Sequence, residues 1–141
     1  MQDFKLDIYK EKKGTVFSGI ESLGVLRIKE IAEEIFNLIG LSALKKERFF
    51  PSIENKLAYK DFEDTYSIRS IFQELKFEDS GDLLILWDEN SIDRVDTNAL
   101  LDNWEYIWYD VSDDAVILYH QESKNLLLIT HYGRIFYFIN S

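Results

Sequence analysis

The spacing of apolar residues changes period along the chain, and each change predicts a different kind of element. Phe4, Leu6 and Ile8 alternate with charged residues as in a short strand, although Lys10 to Lys13 would equally continue a polar helix. From Val25 the spacing becomes helical. Ile28, Ile31, Ala32, Ile35, Leu38 and Ile39 share one stripe, Arg27, Lys29, Glu30, Glu33, Glu34 and Asn37 lie off it, and Gly40 suits a C-cap. A basic connector (Lys45, Lys46, Arg48) then leads to Phe49, Phe50 and Pro51, the only proline, which predicts a turn and no continuing helix. Ile68, Ile71, Phe72 and Leu75 predict a second amphipathic helix over Ser67 to Lys76.

Beyond Ser80 and Gly81 the pattern turns to strands, at Leu83 to Trp87, Tyr106 to Tyr109, Ala115 to Tyr119, Leu126 to Thr130 and Ile135 to Ile139. Asp96 or Thr97 would cap a short helical turn through Leu100, Leu101 and Trp104. Short polar connectors at Ser112 to Asp114, Gln121 to Asn125 and His131 to Gly133 suit antiparallel neighbours. The expected fold is therefore α+β, with two or three N-terminal helices packed on a mainly antiparallel sheet of about five strands in the C-terminal half. These strands are apolar on both parities: Val116 and Leu118 alternate with Ile117 and Tyr119, and Leu126 and Leu128 with Leu127 and Ile129. A sheet with one wet face would alternate apolar with polar. The helices can cover one side; the other needs a second layer. A sheet folded on itself is the simpler answer, and a protein or self-association surface the other.

At 141 residues the chain is one domain's length, 1–141, and its 46% hydrophobic and 15% aromatic content sets it apart from a disordered acidic tail. The absence of cysteine excludes disulfides and thiolate metal sites, and the first residues lack the pattern of a signal peptide. A reducing cytosol fits best. The longest uncharged apolar run, Asn125 to Tyr132, is far short of a bilayer span, so no membrane role is indicated.

Charge changes the picture most. Between Asp61 and Asp114 lie sixteen carboxylates against Arg69, Lys76 and Arg94, a net of minus thirteen, whereas residues 1–60 hold nine acids and eleven bases. A field of that sign selects a positive partner and argues against direct nucleic-acid binding, which draws its affinity from Lys and Arg. DNA mimicry by carboxylates would also end in binding a basic protein. Within this region all three tryptophans interleave with acids: Trp87, Asp88, Glu89, Asp93, Asp96, Asp102, Trp104, Glu105, Tyr106, Trp108, Tyr109, Asp110, Asp113 and Asp114. Aromatic anchors with a carboxylate surround suit capture of a basic protein. Asp88, Glu89, Asp93, Asp102, Glu105, Asp110, Asp113 and Asp114 are the expected contacts to Lys and Arg, with Trp104, Tyr106 or Trp108 as anchors. If residues 105–110 form a strand, Glu105, Ile107 and Tyr109 face one way and Tyr106, Trp108 and Asp110 the other, and one aromatic set belongs to the core.

Signs of catalysis are weak. Asp88, Asn90 and Asp93 suggest a calcium loop, but Ile92 and Asp93 break its pattern. His120 and His131 flank one strand and lack a third group for acid-base or metal chemistry. Glu63 with Asp64, and Asp113 with Asp114, are adjacent acids and not an opposed catalytic pair. No cofactor is expected. A small hydrolase or metal-dependent enzyme using both histidines, and a homo-oligomeric adaptor, are the alternatives.

An acidic, cysteine-free chain with a Trp- and Tyr-rich acidic segment from Trp87 to Asp114 and a β-rich C-terminal half resembles the bacterial immunity proteins of contact-dependent inhibition and related polymorphic toxin systems. The resemblance is of type and not of motif. It implies a cytosolic, non-enzymatic binding protein that neutralises a cognate nuclease toxin.

Overall fold

Leu83, Leu84, Ile85 and Leu86 are four consecutive apolar residues, and a strand must point them alternately to two faces. Both faces are dry: Leu83 and Ile85 are buried on one side, Leu84 and Leu86 on the other. The computed structural model, which describes residues 1–41, 49–63, 65–109 and 113–140, meets this demand with helices on both sides of one antiparallel sheet. The second layer is thus neither a folded-over sheet nor another molecule.

In chain order the elements are α1 (Asp3–Lys13), β1 (Ile20–Ser22), α2 (Val25–Ile39), α3 (Phe49–Glu54), β2 (Ala58–Asp61), α4 (Ile68–Leu75), β3 (Asp82–Asp88), β4 (Ser91–Asp96), α5 (Thr97–Asp102), α6 (Trp104–Ile107), β5 (Ala115–His120), β6 (Asn125–Thr130) and β7 (Arg134–Phe138). The sheet order is β1-β4-β3-β5-β6-β7-β2. The fold is α+β as expected, with seven strands instead of about five, and with helices interspersed among the strands. On the first face, Ile68, Ile71 and Phe72 of α4, Leu100 and Leu101 of α5 and Ile107 of α6 pack on Ile85, Val95, Leu118, Leu127 and Ile129, with Leu6 and Tyr9 of α1 beside them. On the second, Ile31 and Ile35 of α2 and Phe49 and Ile53 of α3 meet Leu84, Leu86, Ile117, Tyr119, Leu126 and Leu128.

Several elements follow their sequence signals closely. Gly40 ends α2 in the left-handed conformation, and Ser67 caps α4 by accepting from the Ser70 N–H at 3.1 Å. Asp96 caps α5 in the same way through Ala99. Other elements depart from expectation. Residues 4–8 are helical: in α1, Lys5, Leu6 and Tyr9 face inward, and the basic last turn suits the negative end of the helix dipole. Pro51 lies inside α3, in its first turn, where a missing N–H costs nothing. The run Tyr106 to Tyr109 is not a strand; α6 occupies 104–107, and the Trp108 N–H closes the turn on the Trp104 carbonyl at 2.9 Å. The tertiary packing of Ile107 outweighs the β preference of the aromatics. Of the basic connector, Lys45, Lys46 and Arg48 lie outside the described residues, as do Asp64 and Ser112.

A polar network fixes α2 over the β5–β6 turn. The buried Tyr119 hydroxyl donates to Glu34 Oε2 at 2.5 Å, Gln121 Nε2 donates to Oε1 at 3.2 Å, and Lys124 Nζ pairs with Oε2 at 3.3 Å. Burial pushes the Glu34 carboxyl up, but these hydrogen bonds and the Lys124 charge outweigh it and hold it below its ordinary value. A depressed carboxyl contributes stability above its unfolded pKa, and that contribution is lost as pH falls through the folded value. Glu34→Gln should therefore flatten the fall of unfolding free energy below about pH 4.5 in urea titrations, relative to the parent.

At the other end of β6, in the turn to β7, Gly133 has φ +87°, and a Cβ there would lie 2.8 Å from the Phe62 carbonyl oxygen. The Phe62 N–H donates to the Gly133 carbonyl at 2.8 Å, so this close approach ties the end of β2 to the β6–β7 turn. Gly133→Ala should cost about 1–3 kcal/mol, measured by denaturant unfolding, through combined backbone strain and clash.

Candidate functional site

The nominated carboxylates divide by burial. Asp93 points to the same face as Ile85, its register partner, and is 1% exposed. It accepts from Ser22 Oγ at 2.8 Å and Trp87 Nε1 at 2.9 Å, and pairs with the Met1 amine. Asp113 receives the Lys5 ammonium at 2.6 Å and the Tyr109 N–H at 2.8 Å. Lys5 is fully buried; its Nζ also donates to the Ile107 carbonyl at 2.8 Å and sits 4.3 Å from the Trp87 ring centre. Burial pulls its pKa below the usual ammonium range, against the opposing pull of Asp113. The charges of Asp93 and Asp113 are thus committed to holding α1 on the sheet. A hint was present in the sequence, since Lys5 stands next to Leu6 on the apolar side of what proves to be a helix.

The remaining nominees among the described residues are exposed or half-buried, and most gather at one end of the sheet. Asp88 and Glu89 form the tip between β3 and β4. The β3–β5 register, with Leu86 opposite Ile117, brings the start of β5 and therefore Asp114 to the same end. Thr97 anchors the start of α5 at the other end, through the Gly81 carbonyl, and α5 with α6 carries the chain back. Asp102, at the end of α5, pairs with Arg69 on the surface. Glu105 is exposed on α6. Asp110 lies outside the described residues.

The helical turn of α6 sorts the aromatics differently from strand parity. Tyr106 meets Tyr9 edge-on at 5.3 Å and Tyr109 meets Phe4 at 5.6 Å, so both lie against α1. Trp104 and Trp108, four residues apart, stack with ring centres 6.1 Å apart and planes 14° apart. They form one wall of a groove of about 500 Å³, whose other lining includes Phe62, Tyr66 and the β6–β7 turn. Phe62 and Tyr66 are within 5.1 Å of each other. Glu63 and Glu105 also line it. Sequence reasoning missed Glu63, Phe62 and Tyr66, because the pairing of Phe62 with Gly133 across 71 positions leaves no local signal.

The two histidines do not converge. They sit at opposite ends of the β5–β6 hairpin, about 17 Å apart along six-residue strands. His120 is buried: its Nε2 lies 2.7 Å from the Ser80 carbonyl, which assigns that nitrogen the proton, and its Nδ1 accepts from the Ser123 N–H at 3.2 Å. His131 is exposed, with Nδ1 3.1 Å from the Asp114 carbonyl. Asp88 accepts the Asn90 N–H at 2.7 Å, an ordinary turn contact. Among the described residues, no group of three or more His, Cys, Asp or Glu is placed to hold a metal ion, and no helix is long and apolar enough to cross a membrane.

Comparison with protein families, curated proteins and solved structures finds no match.

The buried Lys5–Asp113 pair makes a quantitative prediction. Asp113→Ala should lower the unfolding free energy by about 3–5 kcal/mol in urea, since it leaves an ammonium buried without its counter-charge. Lys5→Met combined with Asp113→Asn should lose less than Asp113→Ala alone, because no charge is then stranded.

Proposed function

We propose that this protein is a binding module that neutralises a basic protein partner, as a cytosolic immunity protein that inhibits a nuclease toxin. The observation that carries this reading is the state of the acidic segment. Among the described residues, Glu63, Glu78, Asp79, Asp82, Asp88, Glu89, Asp96, Glu105 and Asp114 are paired with no cation, while Asp61, Glu74, Asp93, Asp102 and Asp113 are. A surplus of unpaired carboxylates destabilises a lone domain through self-repulsion and is relieved when a cationic surface docks. Asp88, Glu89 and Asp114 at one end of the sheet, with Glu105 and the Trp104–Trp108 stack, form the contact surface on this reading. Asp93, Asp113 and Tyr106 support it from within.

The alternatives draw less from the geometry. An enzyme built on His120 and His131 would need them in one pocket, and the hairpin separates them. A homo-oligomeric adaptor was motivated by an uncovered apolar sheet face, and helices cover both faces.

Affinity capture from the native cell should return a one-to-one basic partner that moderate salt releases and whose activity is suppressed in the complex. Asp88→Lys, Glu89→Lys and Asp114→Lys together should weaken that complex by about tenfold or more and shallow its salt dependence, with association slowed most. Reversal of Glu33 and Glu122, exposed acids outside the segment, is the control and should change little. Equal binding by parent and triple variant would sink the reading.

A further inference from the structure

The groove beside α6 has a composition that the rest of the chain explains. Elsewhere the protein holds a guanidinium with one aromatic ring and one carboxylate: Arg134 lies 3.9 Å from the centre of the Tyr59 ring, and its Nε and Nη2 donate to the two oxygens of Asp61 at 2.8 and 3.2 Å. The flat, weakly hydrated cation stacks on the ring while its fork of N–H donors matches the carboxylate. The groove offers the same two ingredients in larger measure. Trp104 and Trp108 present parallel indoles, Phe62 and Tyr66 line the same groove, and so do Glu63 and Glu105. Neither Lys nor Arg is among the residues that line it, and neither glutamate is paired with a cation among the described residues.

We propose that this groove receives an arginine side chain of the basic partner. The inference rests on the reading of a basic partner and adds to it a place and a side chain. Charge complementarity selects a cation: Glu63 and Glu105, paired with neither Lys nor Arg among the described residues, lie inside a segment of net charge minus thirteen, and His131 is the basic side chain in the lining. The aromatic walls then select among cations. In an open groove a lysine ammonium keeps its hydration shell and gains less from an indole face than the buried Lys5 does, whereas a guanidinium stacks on it and forks to a carboxylate at once. A groove of about 500 Å³ is ligand-sized, roomy enough for the guanidinium and its aliphatic stem, and floored by buried isoleucines that the stem can cover.

The test is a titration of the full chain with N-acetyl-arginine amide, N-acetyl-lysine amide and N-acetyl-citrulline amide, followed by nitrogen-proton correlation NMR of the tryptophan indoles. Trp87 serves as an internal reference, because its Nε1–H is committed to Asp93. Arginine amide should shift the Trp104 and Trp108 signals saturably and leave Trp87 still. Lysine amide should bind several-fold more weakly, and citrulline amide, which has the shape without the charge, should not saturate. Glu63→Gln combined with Glu105→Gln should raise the apparent Kd for arginine amide by about tenfold while amide chemical shifts elsewhere stay in place. Citrulline binding as tightly as arginine, or shifts scattered over the acidic surface without saturation at the two indoles, would overturn the proposal. Failure here separates cleanly from failure of the wider reading. If arginine amide misses the groove while reversal of Asp88, Glu89 and Asp114 still weakens the partner complex, the arginine site falls and the basic partner stands. If those reversals leave the complex unchanged while arginine amide saturates the two indoles, the opposite holds.

Discussion

The ammonium of Lys5 is the tie on which the arrangement of this end of the molecule depends. It reaches the carbonyl that ends α6, the carboxylate that precedes β5, and the ring of Trp87 at the end of β3, so a single side chain of α1 joins three separate parts of the chain. A buried ammonium is costly unless its donors are all answered, and here a carbonyl, a carboxylate and an aromatic face answer them. Two further restraints lie close by: Asp93 gathers Ser22, Trp87 and the Met1 amine, and Asp113 bonds to both the N–H and the carbonyl of Tyr109. The outer surface inherits its shape from these buried charges. With Tyr106 and Tyr109 held under α1, the opposite side of the α6 turn is left to Trp104 and Trp108.

How much of this was legible in the sequence depended on whether the deciding contact was local. The helices α2 and α4 were legible because their stripe, caps and polar face lie within one window, and β5, β6 and β7 because four or five consecutive apolar residues have few other uses. The strand β4 was not, since Ser-Ile-Asp-Arg-Val-Asp places Ile92 and Val95 on opposite faces and a buried Asp93 between them, which breaks a period-two pattern. Strands β1 and β2 are three and four residues long, mostly exposed, and owe their existence to partners more than seventy positions away. The double-sided apolar pattern correctly demanded two covering layers, but it could not say that α2 and α3 would take one face while α1, α4, α5 and α6 took the other.

The same division applies to the surface. Charge density along the chain marked out an acidic segment but could not tell a carboxylate that faces water from one that answers a buried lysine. Asp113 and Asp114 are neighbours in sequence and opposites in role: one closes a buried ion pair and the other stands exposed. Likewise the Trp104–Trp108 stack requires a helical turn where propensity favours a strand, and so strand parity grouped the wrong aromatics.

The edges of the sheet have a consequence for how the chain is made. Both edge strands, β1 and β2, are synthesised before any of the five strands that lie between them, and each finds its place only beside a late strand, β4 or β7. The first sixty residues therefore leave the ribosome with helices whose apolar faces have no sheet to cover and with edges that have nothing to border. Productive folding must wait for the C-terminal half and then proceed largely at once, because long-range pairings repay their loop-closure entropy only when the central strands are present. A chain interrupted before residue 134 would lack β7, leave β2 without its neighbour among the described strands, and expose the otherwise buried, largely apolar β6 as an edge open to pairing with another copy.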